Sequence, residues 1–215
     1  MRFIDKKTLI FDLDETLIHC NESTLIPYDV KLPIKFPGGE TIEVVHLFKT
    51  ETNQCPLQAG INIRPYAIEI LKEMSALFEI IVFTASHSCY ANVVLDYLDP
   101  KKQYIHHRLF RENCVQTPEG VYVKDLRIFA NRDLNDLILV DNAAYSFGNQ
   151  IQNGIPIIPY YNNKEDMELK SLMPYLRVLA ESKDLTEVIR QTFKLEQYTQ
   201  YDSADAVLEK VVLGV

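Results

Sequence analysis

Acidic residues follow a short apolar run near the start of the chain. The stretch "TLIFDLDETL" (8–17) places Asp12 and Asp14 two residues apart, directly after three apolar residues. Burying carboxylates beside an apolar strand costs free energy unless a cation or hydrogen-bond donors offset it. A hard divalent cation such as Mg²⁺ offsets it, and this ion binds a few protein oxygens together with water and phosphate. The spacing therefore suggests metal-assisted chemistry on a phosphate group.

Polar side chains also end two later apolar runs. Thr84 stands near the end of "EIIVFTAS", and Asp141 and Asn142 end "DLILVDN". In open α/β sheets, ligands bind at the carboxyl ends of the strands. We therefore expect these side chains to meet Asp12 and Asp14 in one crevice.

Three aspartates in one crevice repel one another, and the sequence offers several groups that balance this charge. A divalent cation would bind the carboxylates, with Asn142 as a neutral oxygen ligand. Lys124, at the end of "VYVK", and the Thr84 hydroxyl would bind a substrate anion. Carboxylates, a metal ion, a lysine and a hydroxyl together suit phosphoryl transfer.

Each of these motifs alone also fits a simpler interpretation. One such interpretation is a calcium-binding EF-hand loop that begins at Asp12. It is disfavoured, because this loop requires Gly at its sixth position and Glu at its twelfth, where the chain has Leu17 and Ser23. Asp14 alone fits a helix N-cap, and Lys124 alone fits a surface lysine. The joint occurrence of such residues at several strand ends favours a site.

The spacing of apolar residues predicts the elements that position this site. Continuous apolar runs predict buried strands over 8–13, 79–86, 136–142 and 154–159. Helical spacing predicts helices over 65–78, over 88–98, over 164–180 with a restart at Pro174, and over most of 184–212. Buried strands that alternate with helices form a mostly parallel sheet. We therefore expect an α/β, Rossmann-like fold with helices on both faces of the sheet.

Two segments depart from this pattern. Alternating apolar residues around "PGGE" predict a small β-hairpin over 28–49, inserted after the first strand. The stretch "VQTPEGVYVKD" (115–125) predicts a second, tight hairpin. We assign residues 1–180 to one α/β domain and 181–215 to a helical extension packed on it. A partner-binding helix is the alternative for that extension.

Composition limits the classes of function. The chain has 215 residues and a formal net charge of −8, which disfavours a general binder of nucleic acids or membrane surfaces. Its four cysteines lie far apart in the sequence, and no two of them form a C-x-x-C pair. A disulfide framework or a cysteine zinc site is therefore not expected. No apolar run approaches the roughly 20 residues of a membrane span, and the N-terminus shows no signal-peptide pattern. We expect a soluble, intracellular monomer without direct nucleic-acid or membrane partners.

Four motifs in a fixed order resemble one superfamily. "DLDETL" (12–17), "FTAS" (83–86), "YVKDL" (122–126) and "LVDN" (139–142) are similar to the motifs of haloacid-dehalogenase (HAD) phosphatases. Together with "RLFRENCV" (108–115) they resemble the FCP/SCP branch, whose members act on the C-terminal domain of RNA polymerase II. The resemblance implies a Mg²⁺-dependent phosphatase that acts on phosphoserine in a protein segment, in the nucleus or cytoplasm.

The resemblance also assigns roles around the metal. By that resemblance, Asp12 is the nucleophile that forms an aspartyl-phosphate, and Asp14 is the general acid and base. Mg²⁺ is held by the Asp12 carboxylate, the Asp14 backbone carbonyl and the Asn142 side chain. Asp141 lies near the metal or supports its ligands.

Substrate contacts follow from the same resemblance. Thr84 and Lys124 bind the transferring phosphoryl group, and Tyr90 and Arg111 contact the peptide. Tyr90 fits a core position equally well, and Arg111 fits a surface ion pair equally well. His87 stands where the branch usually has an aliphatic residue lining the peptide pocket, which leaves the peptide specificity open.

Two other functions stay open. A small-molecule phosphatase of the same superfamily would use the same chemistry, although the chain has no segment long enough for a large cap domain. A peptide-binding relative without catalysis, such as a mitochondrial import receptor, would often lose motif residues, which this chain keeps.

Overall fold

The computed structural model describes residues 6–21, 27–35 and 57–198. In chain order the strands are β1 (Thr8–Phe11), β2 (Ile18–Asn21), β3 (Val30–Ile34), β4 (Leu57–Ile63), β5 (Glu79–Phe83), β6 (His107–Leu109), β7 (Val115–Gln116), β8 (Tyr122–Val123), β9 (Leu137–Asp141) and β10 (Gly154–Pro156). The helices are α1 (Ala67–Ser75), α2 (Ser88–Leu98), α3 (Glu168–Glu181), α4 (Leu185–Phe193) and α5 (Leu195–Tyr198). Short 3₁₀ turns connect several of these elements.

The centre of the fold is a five-stranded parallel sheet in the order β10-β9-β1-β5-β6. The middle strand, β1, pairs in register with β5 and β9, so that Phe11 lies opposite both Val82 and Val140. Just beyond the strand, the Asp12 N–H donates to the Val140 carbonyl at 2.9 Å. This register places Asp12 and Asp141 side by side at the carboxyl edge of the sheet.

Both faces of the sheet are buried, but they are covered differently. Leu9 and Phe11 face the apolar residues of α1, α2, α3 and α4. Ile10 points to the opposite face, which packs against Leu126 and Phe147. These two residues lie in 3₁₀ segments rather than α-helices. The predicted α/β fold with a mostly parallel sheet is confirmed, and the second face has a thinner helical cover than we expected.

Most elements lie where the apolar spacing predicts them. The predicted helix over 88–98 matches α2, and the tight hairpin over 115–125 forms through the pairing of Val115 with Val123. The restart at Pro174 is wrong, because α3 continues through this residue. Strand β6 has three residues, which is too short to give a periodic signal.

The hairpin insertion is described only in part. Strand β3 pairs antiparallel with β4, which also pairs with β2, so the three strands form a separate small sheet. The turn and the second strand of the hairpin predicted over 28–49 lie outside the described residues. So does the last part of the extension, from residue 199, whereas α4 packs on the core through Leu185 and Ile189. Within the described ranges, no helix has the length and apolar character to cross a membrane.

Gly154 and Gly148 provide a matched test of packing on the thinly covered face. A Cβ atom at Gly154 would lie 2.3 Å from Cδ2 of Phe147, whereas one at Gly148 would meet nothing within 4 Å. Because the Phe147 ring is fully buried, we expect Gly154→Ala to lower the free energy of unfolding by about 1–3 kcal/mol. Gly148→Ala should change it by less than about 1 kcal/mol. Urea denaturation measures both, and equal midpoints would contradict this packing.

Candidate active site

A buried lysine joins two aspartates at the carboxyl edge of the sheet. Nζ of Lys124 donates to Oδ1 of Asp12 and, at 2.6 Å, to Oδ2 of Asp141. All three residues are less than a tenth exposed. Asp12 follows β1, Asp141 ends β9, and Lys124 follows β8, where its N–H donates to the Ser146 carbonyl at 2.8 Å. One ammonium group thus balances two carboxylates that the sheet brings together.

Burial and charge act in opposite directions on these groups. Burial raises the pKa of Asp12 to about 7, although the Lys124 ammonium lowers it. Burial alone would lower the pKa of Lys124, but Asp12 and Asp141 raise it above the ordinary value. Lys124 is therefore charged at neutral pH, and its charge favours the ionised form of Asp12.

Asp14 lies in a separate hydrogen-bond network made of hydroxyl groups. The Tyr90 hydroxyl donates to Oδ1 of Asp14 at 2.7 Å. Ser86 and Thr84 donate to Oδ2 at 2.7 Å and 3.4 Å. Burial raises the pKa of Asp14, although the bonds from Tyr90 and Ser86 lower it. A carboxyl group with a raised pKa is suited to both giving and accepting a proton near neutral pH.

The chain turns sharply after Asp14. Glu15 has φ of +58°, in the left-handed region, and its N–H donates to the Ile18 carbonyl at 2.7 Å. The Leu17 N–H donates to the Leu13 carbonyl at 2.9 Å. A non-glycine residue in this conformation is uncommon and is often found at functional sites. The turn directs the chain from β1 into β2 and leaves Asp12 and Asp14 at the open end of the sheet.

Hydrogen bonds from the side chains of Thr16 and Arg64 hold this turn in place. The buried Thr16 hydroxyl donates to Oδ1 of Asn142 at 3.2 Å. The guanidinium of Arg64, which is 1% exposed, donates to the Thr16 carbonyl at 3.2 Å and pairs with Asp166 at 2.9 Å. Thr16 thereby holds the Asn142 side chain beside the aspartates.

Asp12, Asp14, Lys124 and Asp141 line a pocket of about 370 Å³. Its acidic residues are Asp12, Asp14, Glu15 and Asp141, and its basic residues are Lys124 and Arg111. Its other residues are Thr84, Ala85, Ser86, Gly120, Val121, Tyr122, Asn142, Ala143, Tyr145 and Ser146. When all six of these groups are ionised, the four carboxylates and two cations give the pocket a net charge of −2.

The donor set of the pocket fits a hard divalent cation. The carboxylate of Asp12 and the side-chain oxygen of Asn142 line the same pocket, and the Asp14 backbone carbonyl is the third predicted ligand. Both oxygens of Asp141 already accept hydrogen bonds, one from Lys124 and one from the Ala143 N–H at 2.8 Å, which suits a supporting position. In the described ranges, no three His, Cys, Asp or Glu side chains form a metal-binding group. The predicted Mg²⁺ site thus depends on amide and backbone oxygens and stays a prediction.

The structure places the two predicted peptide contacts differently. Arg111 lines the pocket, and its described side-chain hydrogen bonds go to the Ala85 carbonyl and His87 rather than to a carboxylate. Tyr90 is 7% exposed and lies beneath Asp14, outside the pocket lining, so its placement corresponds to the alternative core position. Its hydroxyl nevertheless reaches Asp14, which helical spacing alone does not indicate.

Several pocket residues had no predicted role. Ser86 belongs to the "FTAS" motif, so its position after a strand end was a usable signal. The sequence contains no such signal for Glu15, because its position in the pocket depends on its own left-handed backbone conformation. Tyr145 is 61% exposed at the rim, and no pattern in the sequence indicates this position.

Comparisons with known proteins give a consistent result. The sequence model of one family, described as "NLI interacting factor-like phosphatase", matches residues 7–186. The chain is 37% identical over 197 residues to "CTD small phosphatase-like protein 3" of Caenorhabditis elegans, covering 91% of this chain and 62% of the relative. It is 36% identical over 187 residues to the human "Carboxy-terminal domain RNA polymerase II polypeptide A small phosphatase 1", covering 87% and 64%. The chain thus spans less than two thirds of these relatives.

The fold is also similar to a solved structure. Fission yeast Fcp1, an RNA polymerase II CTD phosphatase bound to beryllium fluoride, superposes with a TM-score of 0.52 at 18% identity. The match covers 96% of this chain and 61% of Fcp1. At this identity the likeness supports the fold alone.

Replacing Lys124 tests the buried charge cluster. With Mg²⁺ removed by EDTA, we expect Lys124→Met to lower the free energy of unfolding by about 3 kcal/mol at pH 8, because two buried carboxylates lose their cation. Burial already raises the pKa of Asp12, and without the ammonium group this carboxylate takes up a proton more readily in the folded protein, so the loss should shrink as the pH falls to 5. Lys164→Met removes an exposed pair with Asp29 and should cost less than about 1 kcal/mol. Equal losses for the two variants would contradict the cluster.

Proposed function

Because the chain belongs to the NLI interacting factor-like phosphatase family, we propose that it is a Mg²⁺-dependent protein phosphatase that hydrolyses phosphoserine. The observation that carries this proposal is the pocket in which Lys124 bonds Asp12 while Asp14 is held separately by hydroxyl groups. The names of the relatives make the C-terminal domain of RNA polymerase II the first candidate substrate. The protein would then act in the nucleus or the cytoplasm.

In the first step, the substrate loses its phosphoryl group to the protein. A carboxylate oxygen of Asp12 attacks phosphorus and forms an O–P bond while the bond from phosphorus to the serine Oγ breaks. Asp14 gives its proton to the serine oxygen, which leaves as a neutral hydroxyl group. The raised pKa of Asp14 supports this role, since the carboxyl group holds a proton more readily than a solvated one.

In the second step, water releases the phosphate. Asp14, now a carboxylate, accepts a proton from water, and the water oxygen attacks the phosphorus of the aspartyl-phosphate. The O–P bond to Asp12 breaks, so inorganic phosphate leaves and the carboxylate is restored. Lys124 and the Thr84 hydroxyl are placed to stabilise the charge on the phosphoryl oxygens in both steps.

Mg²⁺, when bound, would reduce repulsion between the phosphoryl oxygens and the Asp12 carboxylate. Asp12, Asn142 and the Asp14 carbonyl would hold it. Even with Asp14 protonated, the three other pocket carboxylates outnumber the two cations, and this excess of negative charge supports a divalent ion at this place.

The rim of the pocket favours a protein segment over a small metabolite. Tyr145, Val121 and Tyr122 all line the pocket, and Tyr145 is 61% exposed at its rim. Apolar and aromatic groups at the edge of a phosphate site bind the residues that flank a phosphoserine, and a small phosphate ester would not reach them. The same rim would serve a peptide-binding relative without catalysis, so an activity assay decides between these functions.

Asp12→Asn tests the nucleophile. An amide oxygen is a much poorer nucleophile than a carboxylate, so we expect phosphate release from a phosphoserine peptide to fall by roughly a thousandfold or more. The exposed Asp136→Asn variant makes the same chemical change outside the pocket and should keep the parent rate. EDTA should abolish the parent activity, and added Mg²⁺ should restore it. Activity that persists in Asp12→Asn would contradict the assignment.

Tyr90→Phe and Ser86→Ala test how Asp14 is held. Both variants remove a hydroxyl donor to Asp14, so proton transfer to the leaving serine should slow by about tenfold. An aryl phosphate with an acidic phenol needs little protonation, so its turnover should fall much less. Tyr97→Phe, on an exposed part of α2, should leave both rates unchanged. An equal loss for both substrates would mean that the hydroxyl groups do not act through Asp14.

A further inference from the structure

Arg111 differs from every other arginine in the described part of the chain. The other described arginines each form an ion pair with a carboxylate: Arg64 with Asp166, Arg108 with Asp96, Arg127 with Asp125, Arg132 with Glu79, Arg177 with Glu73 and Arg190 with Glu187. Arg111 pairs with no described carboxylate, although the net charge of the chain is −8. Its guanidinium is therefore not held in an ion pair with any described acid.

The contacts that hold the Arg111 side chain within the described residues are uncharged. Its Nε donates to the Ala85 carbonyl at 2.6 Å, and its NH1 group donates to Nε2 of His87 at 2.9 Å. The guanidinium carbon lies 5.1 Å from the centre of the Tyr122 ring, within the range of a cation–π contact. These three contacts fix the guanidinium on the pocket wall and leave its charge available to a ligand.

His87 can accept the hydrogen bond from Arg111 only as a neutral ring. Its Nε2 accepts the bond from Arg111, which places the ring proton on Nδ1. Burial and then the charge of Arg111 lower the pKa of His87, while Glu112 raises it. The imidazole is therefore an uncharged acceptor at neutral pH, where a carboxylate in its place would neutralise the guanidinium.

We propose that His87 is a positioning residue that holds Arg111 on the pocket wall without an ion pair to a described carboxylate, where the guanidinium binds an anionic group of the substrate. This inference rests on the proposed function for the identity of the ligand, a phosphorylated protein segment. The anionic group is the transferring phosphoryl group or an acidic group beside it in the segment. The chemistry at Arg111 is the same for both, and substrates that differ in one group separate them.

Glutamine and glutamate at position 87 give a closely matched pair of variants. His87→Gln keeps a neutral acceptor, whereas His87→Glu has nearly the same size and shape but supplies a carboxylate to Arg111. Gln103→Glu makes the same change of charge at an exposed residue away from the pocket and controls for the added negative charge. Arg111→Gln removes the cation directly, so the proposal stays testable if His87→Glu does not fold.

Binding is measured without turnover, by fluorescence anisotropy in EDTA. The probes are two labelled phosphoserine peptides, one with alanine and one with glutamate beside the phosphoserine, and inorganic phosphate as competitor. We expect His87→Gln to bind within about twofold of the parent, and His87→Glu and Arg111→Gln to bind roughly tenfold more weakly. Gln103→Glu should match the parent.

The pattern across the probes identifies the anionic group. Equal weakening for both peptides and for inorganic phosphate assigns Arg111 to the transferring phosphoryl group. Weakening only for the peptide with glutamate assigns it to a neighbouring acidic group. The proposal is overturned if His87→Glu binds every probe as tightly as His87→Gln, or if His87→Gln is as weak as His87→Glu.

Failure of the proposed function would give a different result. Without catalysis, neither peptide releases phosphate in Mg²⁺, yet the anisotropy series still shows whether His87 and Arg111 act as proposed. Conversely, normal turnover with no difference between His87→Gln and His87→Glu overturns this inference alone.

Discussion

The repulsion among carboxylates at one edge of the sheet is the constraint on which the rest of the structure depends. The in-register pairing of β1 with β9 places Asp12 beside Asp141, and both are buried. Such a pair is costly in a medium of low dielectric constant unless a cation lies between its members. Lys124 supplies that cation. The hydrogen bond from its backbone N–H to the Ser146 carbonyl fixes the position of the Lys124 backbone. The hairpin of β7 and β8 therefore serves to bring one ammonium group to the sheet edge.

The two aspartates of the "DLD" motif are separated by their partners. Asp12 contacts a cation, which favours the ionised form that a nucleophile requires. Among the described residues, the side chains that donate to the Asp14 carboxyl group are the hydroxyls of Thr84 and Ser86, after β5, and of Tyr90 on α2, and burial favours its protonated form. Two residues two positions apart thus lie in different electrostatic surroundings, Asp12 beside an ammonium group and Asp14 beside hydroxyl groups.

Much of this arrangement was predictable from the sequence, for a physical reason. Apolar runs that end in polar residues mark the carboxyl ends of parallel strands, and these ends meet at one edge. Asp12, Thr84, Asp141 and Lys124 accordingly line one pocket, as expected from their positions. The roles assigned to them, and the Mg²⁺ site, remain proposals.

Other features depend on contacts that no local pattern contains. Helical spacing places Tyr90 on the inner face of α2 but does not show that its hydroxyl reaches Asp14. The bond between Arg111 and His87 joins residues 24 positions apart, and β6 is too short for any periodicity. The course of α3 through Pro174 shows that tertiary packing overrides a helix-breaking signal, since Met173 and Leu176 on either side are buried in the core.

The central claim is that Asp12 carries the phosphoryl group during turnover, and chemical trapping tests it most directly. The protein is mixed with a phosphoserine peptide and Mg²⁺, stopped rapidly in acid, and treated with borohydride, which reduces an acyl phosphate to an alcohol. Mass spectrometry of the digested chain then locates the reduced residue. We expect homoserine at position 12, dependent on both substrate and Mg²⁺. Turnover of the peptide with reduction at another carboxylate, or with no reduction at all, would contradict the claim.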